Sequence, residues 1–227
     1  MADTETVTQC VLRRSILYGC LALCLTPLRA RAATNSVPRN GRLAFQVFRK
    51  GAHLGEHTMT FTRDGDRLNV QAEVDITVKF GPLTVLQYRH QAKERWRGAA
   101  FVGLETMTVS NGQRQHVTAE HMDDGVRIEP AAGAAYLAPS GAMPLSHWNR
   151  QALASPLFNP QDGKPLRETI VLKGEETVRL ADGRSAPATR YALTGEAEVD
   201  DWYDEDGIWT ALRGRVKDGS FLDYRRA

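Results

Sequence analysis

Between Leu68 and Phe80 the chain alternates without a break. Leu68, Val70, Ala72, Val74, Ile76, Val78 and Phe80 are apolar, and Asn69, Gln71, Glu73, Asp75, Thr77 and Lys79 between them are polar. Successive side chains of a strand point to opposite faces, so this period of two predicts one strand with one buried and one solvated face. At about 3.3 Å per residue it would run on the order of 40 Å, several times the usual strand. A compact sandwich has no use for such a length, whereas a large curved sheet does.

The same period recurs along the chain. Leu43, Phe45 and Val47 share a face, as do His57, Met59 and Phe61. After a break at Gly81-Pro82, the stretch from Leu83 to Arg97 puts Leu86, Tyr88, His90, Ala92 and Trp96 on one side, with Arg89, Lys93, Arg95 and Arg97 on the other. Asn111-Gly112 carries the chemistry of a type I′ hairpin turn. Asp64-Gly65, Asp182-Gly183, Asp206-Gly207 and Asp218-Gly219 also read as hairpin turns. Glu129 to Leu145 is rich in Ala, Gly and Pro and reads as an irregular crossing loop. Beyond it, Ser146 is placed to cap a short helix through Trp148, Gln151 and Ala152. With no helix long enough for a parallel crossover, the expected fold is mainly β. It is a single antiparallel curved sheet, a barrel or half-barrel, with one short mid-chain helix.

The first 32 residues differ from the rest. Arg13 and Arg14 precede an apolar run from Ile16 to Leu25, and Ala30-Arg31-Ala32 offers the small residues of a signal-peptidase site. Residues 1–32 are therefore expected to be a signal peptide cut between Ala32 and Ala33, with 33–40 a flexible leader and 41–227 a single β-rich domain. The run falls well short of the roughly 20 residues that span a bilayer, so no transmembrane anchor is expected after cleavage. Arg13-Arg14-Ser15-Ile16-Leu17 resembles a twin-arginine export motif, and an ordinary basic leader accounts for the same residues, so both routes stay open. The surroundings of Cys20 and Cys24 fit a lipobox poorly. Cleavage would remove Cys10, Cys20 and Cys24, all the cysteine in the chain. Disulfides, thiolate metal sites and cysteine nucleophiles go with them. The expected location is periplasmic or secreted.

Charge narrows the partners. The full chain has 29 basic and 27 acidic residues, and the signal segment takes four of the former and two of the latter, leaving equal numbers. Without a basic excess, nucleic acid is not an expected partner. No metal is expected either. His53 and His57 lie across a turn, and His116 and His121 fall on opposite faces of one strand. Aligning Gly207 with the glycine of a calcium-binding loop would put Trp202 and Arg213 at ligand positions. No nucleophile elbow, phosphate loop or dinucleotide fingerprint is present. No catalytic residue and no cofactor is therefore assigned. The candidates for lining a ligand cavity are Tyr88, Trp96, His147, Trp148, Trp202, Tyr203 and Trp209, which combine large apolar bodies with polar tips.

Ser146-His147-Trp148-Asn149, Trp202-Tyr203-Asp204 and Asp218-Gly219-Ser220, in a hairpin-rich chain with an export signal, resemble a bacterial family known as domain of unknown function 6134. The resemblance covers about residues 41 to 225. It implies an exported bacterial protein and assigns no activity. The first functional expectation is a non-enzymatic protein whose curved sheet shelters an apolar or lipid-like ligand. The second is an envelope assembly or scaffold protein that docks a protein partner by a sheet edge or by the loop around His147 and Trp148. The third is a hydrolase or isomerase using His147 with a carboxylate, Asp204 or Asp223.

Overall fold

The computed structural model describes residues 37–80, 83–216 and 218–227. The expected signal peptide, its cleavage point at Ala32 and Ala33, the three cysteines and the break at Gly81-Pro82 lie outside the described residues.

Eight strands follow Gly41 as an antiparallel meander. They are β1 (Arg42–Arg49), β2 (Ala52–Asp64), β3 (Arg67–Phe80), β4 (Leu83–Arg97), β5 (Ala100–Ser110), β6 (Gln113–Met122), β7 (Gly125–Glu129) and β8 (Tyr136–Ala138). A crossing segment then carries β9 (Met143–Pro144), a 3-10 turn (Arg150–Ala154), β10 (Leu157–Phe158) and β11 (Pro165–Leu166), with the three short strands paired as a small separate sheet. A second meander completes the fold: β12 (Glu168–Arg179), β13 (Ser185–Gly195), β14 (Val199–Tyr203), β15 (Trp209–Arg215) and β16 (Phe221–Arg226). Strand β16 pairs antiparallel with β1. Among the described residues the result is one thirteen-stranded sheet with β12 at one edge and β8 at the other.

The long alternation is realised as expected. Strands β3 and β4 have 14 and 15 residues. From Leu68 to Ile76 every second side chain is buried and those between are exposed. Their register sets Leu68 against Trp96 and Val74 against His90. The Asn111-Gly112 turn has φ of 48° and 83°, the two positive values that a type I′ hairpin needs. Curvature has local causes. Register shifts between Val47 and Phe48, between Arg95 and Trp96, and between Trp202 and Tyr203 each insert a bulge, which bends and twists the strand.

Closure, left open between barrel and half-barrel, is decided against the barrel among the described residues, and the expected helix is corrected. The sheet does not close: the edge strands β8 and β12 do not pair, and the crossing segment instead packs into the concave side. Trp148 and Phe158 are fully buried there against Phe61, Trp96 and Phe101. A plug in the concavity buries the inner apolar face without requiring the edges to meet. The expected helix is a single 3-10 turn, capped by Asn149, whose side-chain oxygen accepts from the Gln151 N–H, and not by Ser146. The loop from Glu129 to Leu145 also contains β8 and β9, too short for periodicity to reveal.

Candidate functional site

Two carboxyl groups point inward from opposite parts of the sheet, and the crossing segment is fastened to both. Glu94 lies on β4 between Ala92 and Trp96, on the buried face, and is 1% exposed. Its Oε2 accepts from the indole N–H of Trp96 (2.8 Å) and from that of Trp148 (2.9 Å). Asp201 lies on β14 and is wholly buried. Its Oδ2 pairs with His147 Nδ1 at 2.8 Å, and its Oδ1 accepts from the Trp209 indole at 3.1 Å. The Tyr203 hydroxyl donates to the His147 carbonyl at 2.7 Å, and the His147 ring stacks on Trp209. Neighbouring residues His147 and Trp148 thus bind carboxyl groups on two separate strands. Their opposed directions are achieved with His147 at φ 67°, a left-handed conformation that costs a non-glycine residue on the order of 1–3 kcal/mol. The anchors on its ring and carbonyl hold it there.

Above this fastening lies a chamber of about 210 Å³, lined by His57, His90, Glu94, Ser146, His147 and Trp209 among apolar neighbours such as Met59, Val74 and Leu212. It adjoins an outer cleft of about 500 Å³ walled by Leu54, Ile76, Val78 and Leu86, with Arg49 and Asp218 also on its lining. Tyr88, Gln161, Val216, Leu222 and Tyr224 line both spaces and form the neck between them. The outer volume alone is within the usual range for small-molecule pockets.

The chamber's lining is mainly apolar, with a few buried polar groups set into it. His57 is 7% exposed and sits among Phe45, Trp209 and Tyr224. Burial first, then the neighbouring His147 and His90, lowers its pKa to about 3. Burial lowers that of His90 to about 4, and His90 Nδ1 is bonded to Thr108 Oγ1 at 2.8 Å. Burial also drives the Glu94 carboxyl upward, against the opposing hydrogen bonds from Trp148, Trp96 and the nearby Ser146 hydroxyl. At the neck, burial raises Tyr88, and it pushes Tyr224 up to about 12. Among the described residues, both ring nitrogens of His57 are buried with no partner, whereas the Ser146 hydroxyl lies beside the Glu94 carboxyl. Each such unpartnered atom costs about 1–3 kcal/mol.

Of the seven sequence-derived candidates, Tyr88, His147 and Trp209 line the chamber. Trp96, Trp148 and Tyr203 lie behind it as anchors of Glu94 and His147. Trp202 is on the opposite face of β14, packed with Val178, Ala188 and Ala211, its indole N–H donating to Glu176 at 3.1 Å. His147 takes its carboxylate from Asp201. Asp204 instead accepts from Arg226 and from the Ile208 N–H, and Asp223 accepts from Arg213. Sequence reasoning passed over Glu94, Asp201, His57 and His90 as site residues. Glu94 had a signal, being the one charged residue on the apolar register of β4. Among the described residues, no three His, Asp or Glu side chains are grouped so as to hold a metal ion, and no helix is long and apolar enough to cross a membrane.

All three stretches that carry the family resemblance have structural roles. Ser146 to Asn149 is the fastening, Tyr203 and Asp204 hold His147 and the β14–β15 turn, and Asp218 and Ser220 pair with Arg49. No curated protein matches the sequence. Among solved structures the chain is similar to a beta-barrel-like protein of domain of unknown function DUF1849 from Brucella abortus, with a TM-score of 0.58 and 9% identity, over 82% of this chain and 94% of that one. That likeness concerns the fold alone. A family model, domain of unknown function (DUF6134), matches residues 45–227, and the chain belongs to that family.

Proposed function

We propose that the protein is exported and binds an apolar or lipid-like small molecule in the cleft on the concave side of its sheet. One observation carries this reading: two adjoining, mainly apolar cavities meet at a neck lined by Tyr88, Leu222 and Tyr224. A wide apolar wall supplies affinity by removing hydrocarbon from water, at about 25 cal/mol per Å². The few polar groups inside would fix orientation. The apolar run and the small residues at the end of the first 32 residues support export.

The test uses the neutral fluorophore N-phenylnaphthylamine. Saturable binding to the purified protein, lost in Leu222→Trp, which narrows the neck, is expected. Binding that does not saturate, or that is unchanged in the variant, would remove the cleft as its site. For export, N-terminal sequencing of protein recovered from the periplasm of its host should begin at Ala33.

A second reading is favoured by the His147–Asp201 pair. A buried carboxylate that orients one imidazole nitrogen beside a chamber is the arrangement of a general base. Turnover of hydrophobic esters or of unsaturated carbonyl compounds, abolished in His147→Gln with the fold retained, would favour catalysis over carriage.

A further inference from the structure

Two tyrosines stand where the cavities meet, and the register of the sheet puts them there. Tyr224 on β16 is opposite Val47 on β1, Val47 is opposite Gly55 on β2, Gly55 is opposite Ile76 on β3, and Ile76 is opposite Tyr88 on β4. Residues in one such row share a face of the sheet, and curvature brings the two ends of this row together. Both tyrosines line both cavities, and Tyr224 is near enough to add to the rise in the Tyr88 pKa. Neither hydroxyl has a hydrogen-bond partner among the described residues, and neither is sealed off, so both are within reach of a ligand. The Tyr136 and Tyr203 hydroxyls, by contrast, donate to the Gly163 and His147 carbonyls. Burial raises the pKa of Tyr88 and of Tyr224, so both stay protonated and able to donate at neutral pH. The cations on the two linings are already paired, Arg49 with Asp218 and Arg215 with Glu198.

We infer that the neck is a carbonyl-binding site: the Tyr88 and Tyr224 hydroxyls donate to one uncharged carbonyl oxygen in the interior of a ligand, whose two hydrocarbon arms extend into the inner chamber and the outer cleft. This rests on the cleft reading above and adds the class of ligand, an internal ketone or ester, and its placement. A carbonyl oxygen has two lone pairs and accepts from both hydroxyls at once. Both cavities are mainly apolar, so hydrocarbon on each side of the acceptor gains more than a polar end in either. A carbonyl near the end of a chain meets only part of this arrangement. Held at the neck, it leaves one cavity without hydrocarbon, and moved away from the neck, it leaves the hydroxyls unpaired. An ionised head group would lose its hydration while the lining cations are engaged elsewhere.

The experiment is displacement of N-phenylnaphthylamine by dipentyl ketone and by its isomer methyl nonyl ketone, which differ only in where the carbonyl sits. Dipentyl ketone is expected to bind about tenfold more tightly, the difference that roughly one or two buried hydrogen bonds produce. Infrared spectra of the isotope-labelled compound should show its carbonyl stretch moved to lower frequency on binding, the signature of an accepted hydrogen bond. In the double variant Tyr88→Phe and Tyr224→Phe the two isomers should bind alike and the infrared shift should be lost, with the circular dichroism of the parent retained. The isomer comparison and the infrared shift in the parent protein decide the matter even where the variant does not fold. Equal affinity for the two isomers, tighter binding of methyl nonyl ketone, or a shift that survives in the variant would overturn the neck assignment and leave the cleft intact. If neither the fluorophore nor either ketone binds, the cleft reading fails and this inference fails with it.

Discussion

Replacing His57 by phenylalanine should make the protein more resistant to acid without weakening it at neutral pH. His57 is buried among Phe45, Trp209 and Tyr224, and both ring nitrogens lack partners among the described residues. Its folded pKa is lowered to about 3, from 6.5 in the unfolded chain. As pH falls below about 6.5, the unfolded chain therefore takes up a proton that the folded protein refuses, and stability is lost until about pH 3. One pKa unit corresponds to 1.36 kcal/mol, so the loss at about pH 5 is about 2 kcal/mol. His90, lowered to about 4, loses a similar amount over the same interval. Glu94 has the opposite slope, since its raised pKa makes the folded state the better proton acceptor above the usual carboxylate range. Because His90 and Glu94 are unchanged in the variant, the difference between the two proteins isolates His57. Urea unfolding followed by tryptophan fluorescence at about pH 7 and about pH 5 measures it. The variant should equal or exceed the parent at neutral pH, because an apolar ring replaces two unsatisfied atoms worth about 1–3 kcal/mol each. It should also lose about 2 kcal/mol less on acidification. A variant weakened by more than about 2 kcal/mol at neutral pH, with the parent's acid sensitivity intact, would show that the imidazole is a satisfied structural group.

Substitutions at three further positions probe the fastening and the curvature. Glu94→Ala leaves the buried indole N–H groups of Trp96 and Trp148 without an acceptor and should cost about 2–6 kcal/mol, whereas Glu94→Gln keeps an accepting oxygen and should cost about 1 kcal/mol or less in the same urea titration. Similar losses in both would mean that the indoles do not depend on this oxygen. At His147, glycine should be better tolerated than alanine by about 1 kcal/mol, the reverse of the ordinary order, because φ is 67° there. Thermal midpoints of the two variants decide this, and an alanine variant as stable as the glycine one would refute the strain. A Cβ at Gly55 would lie 1.9 Å from the Asp75 carbonyl oxygen, beside the bulge between β1 and β2. Gly55→Ala should therefore destabilise by about 1–3 kcal/mol or more. An unchanged midpoint would show that the strands there can separate freely.

Much of the sheet is legible in local alternation, because a period of two assigns each side chain to a face without knowledge of its partners. It correctly sets Tyr88, His90 and Trp96 on one side of β4, and the same rule puts Trp202 on the face opposite its neighbour Tyr203. Turn chemistry locates the hairpins, as at Asn111-Gly112. What local pattern cannot supply is pairing across the fold. Trp148 meets Glu94 and His147 meets Asp201 across 54 residues in each case, a separation with no periodic signature. Asp201 is further hidden in an acidic run, where only its register with Val199 and Tyr203 marks it as inward. Closure of the sheet is illegible for another reason. It depends on whether the crossing segment fills the concavity, and that is a matter of the volumes of Trp148 and Phe158 and not of pattern.

The most direct measurement of whether this concave face holds a ligand is a crystal structure of the protein taken from its own host without removal of bound lipid. Continuous density for a hydrocarbon chain through the neck between Tyr88 and Tyr224 is expected. Side chains collapsed across the neck, or ordered water alone in both cavities, would contradict it.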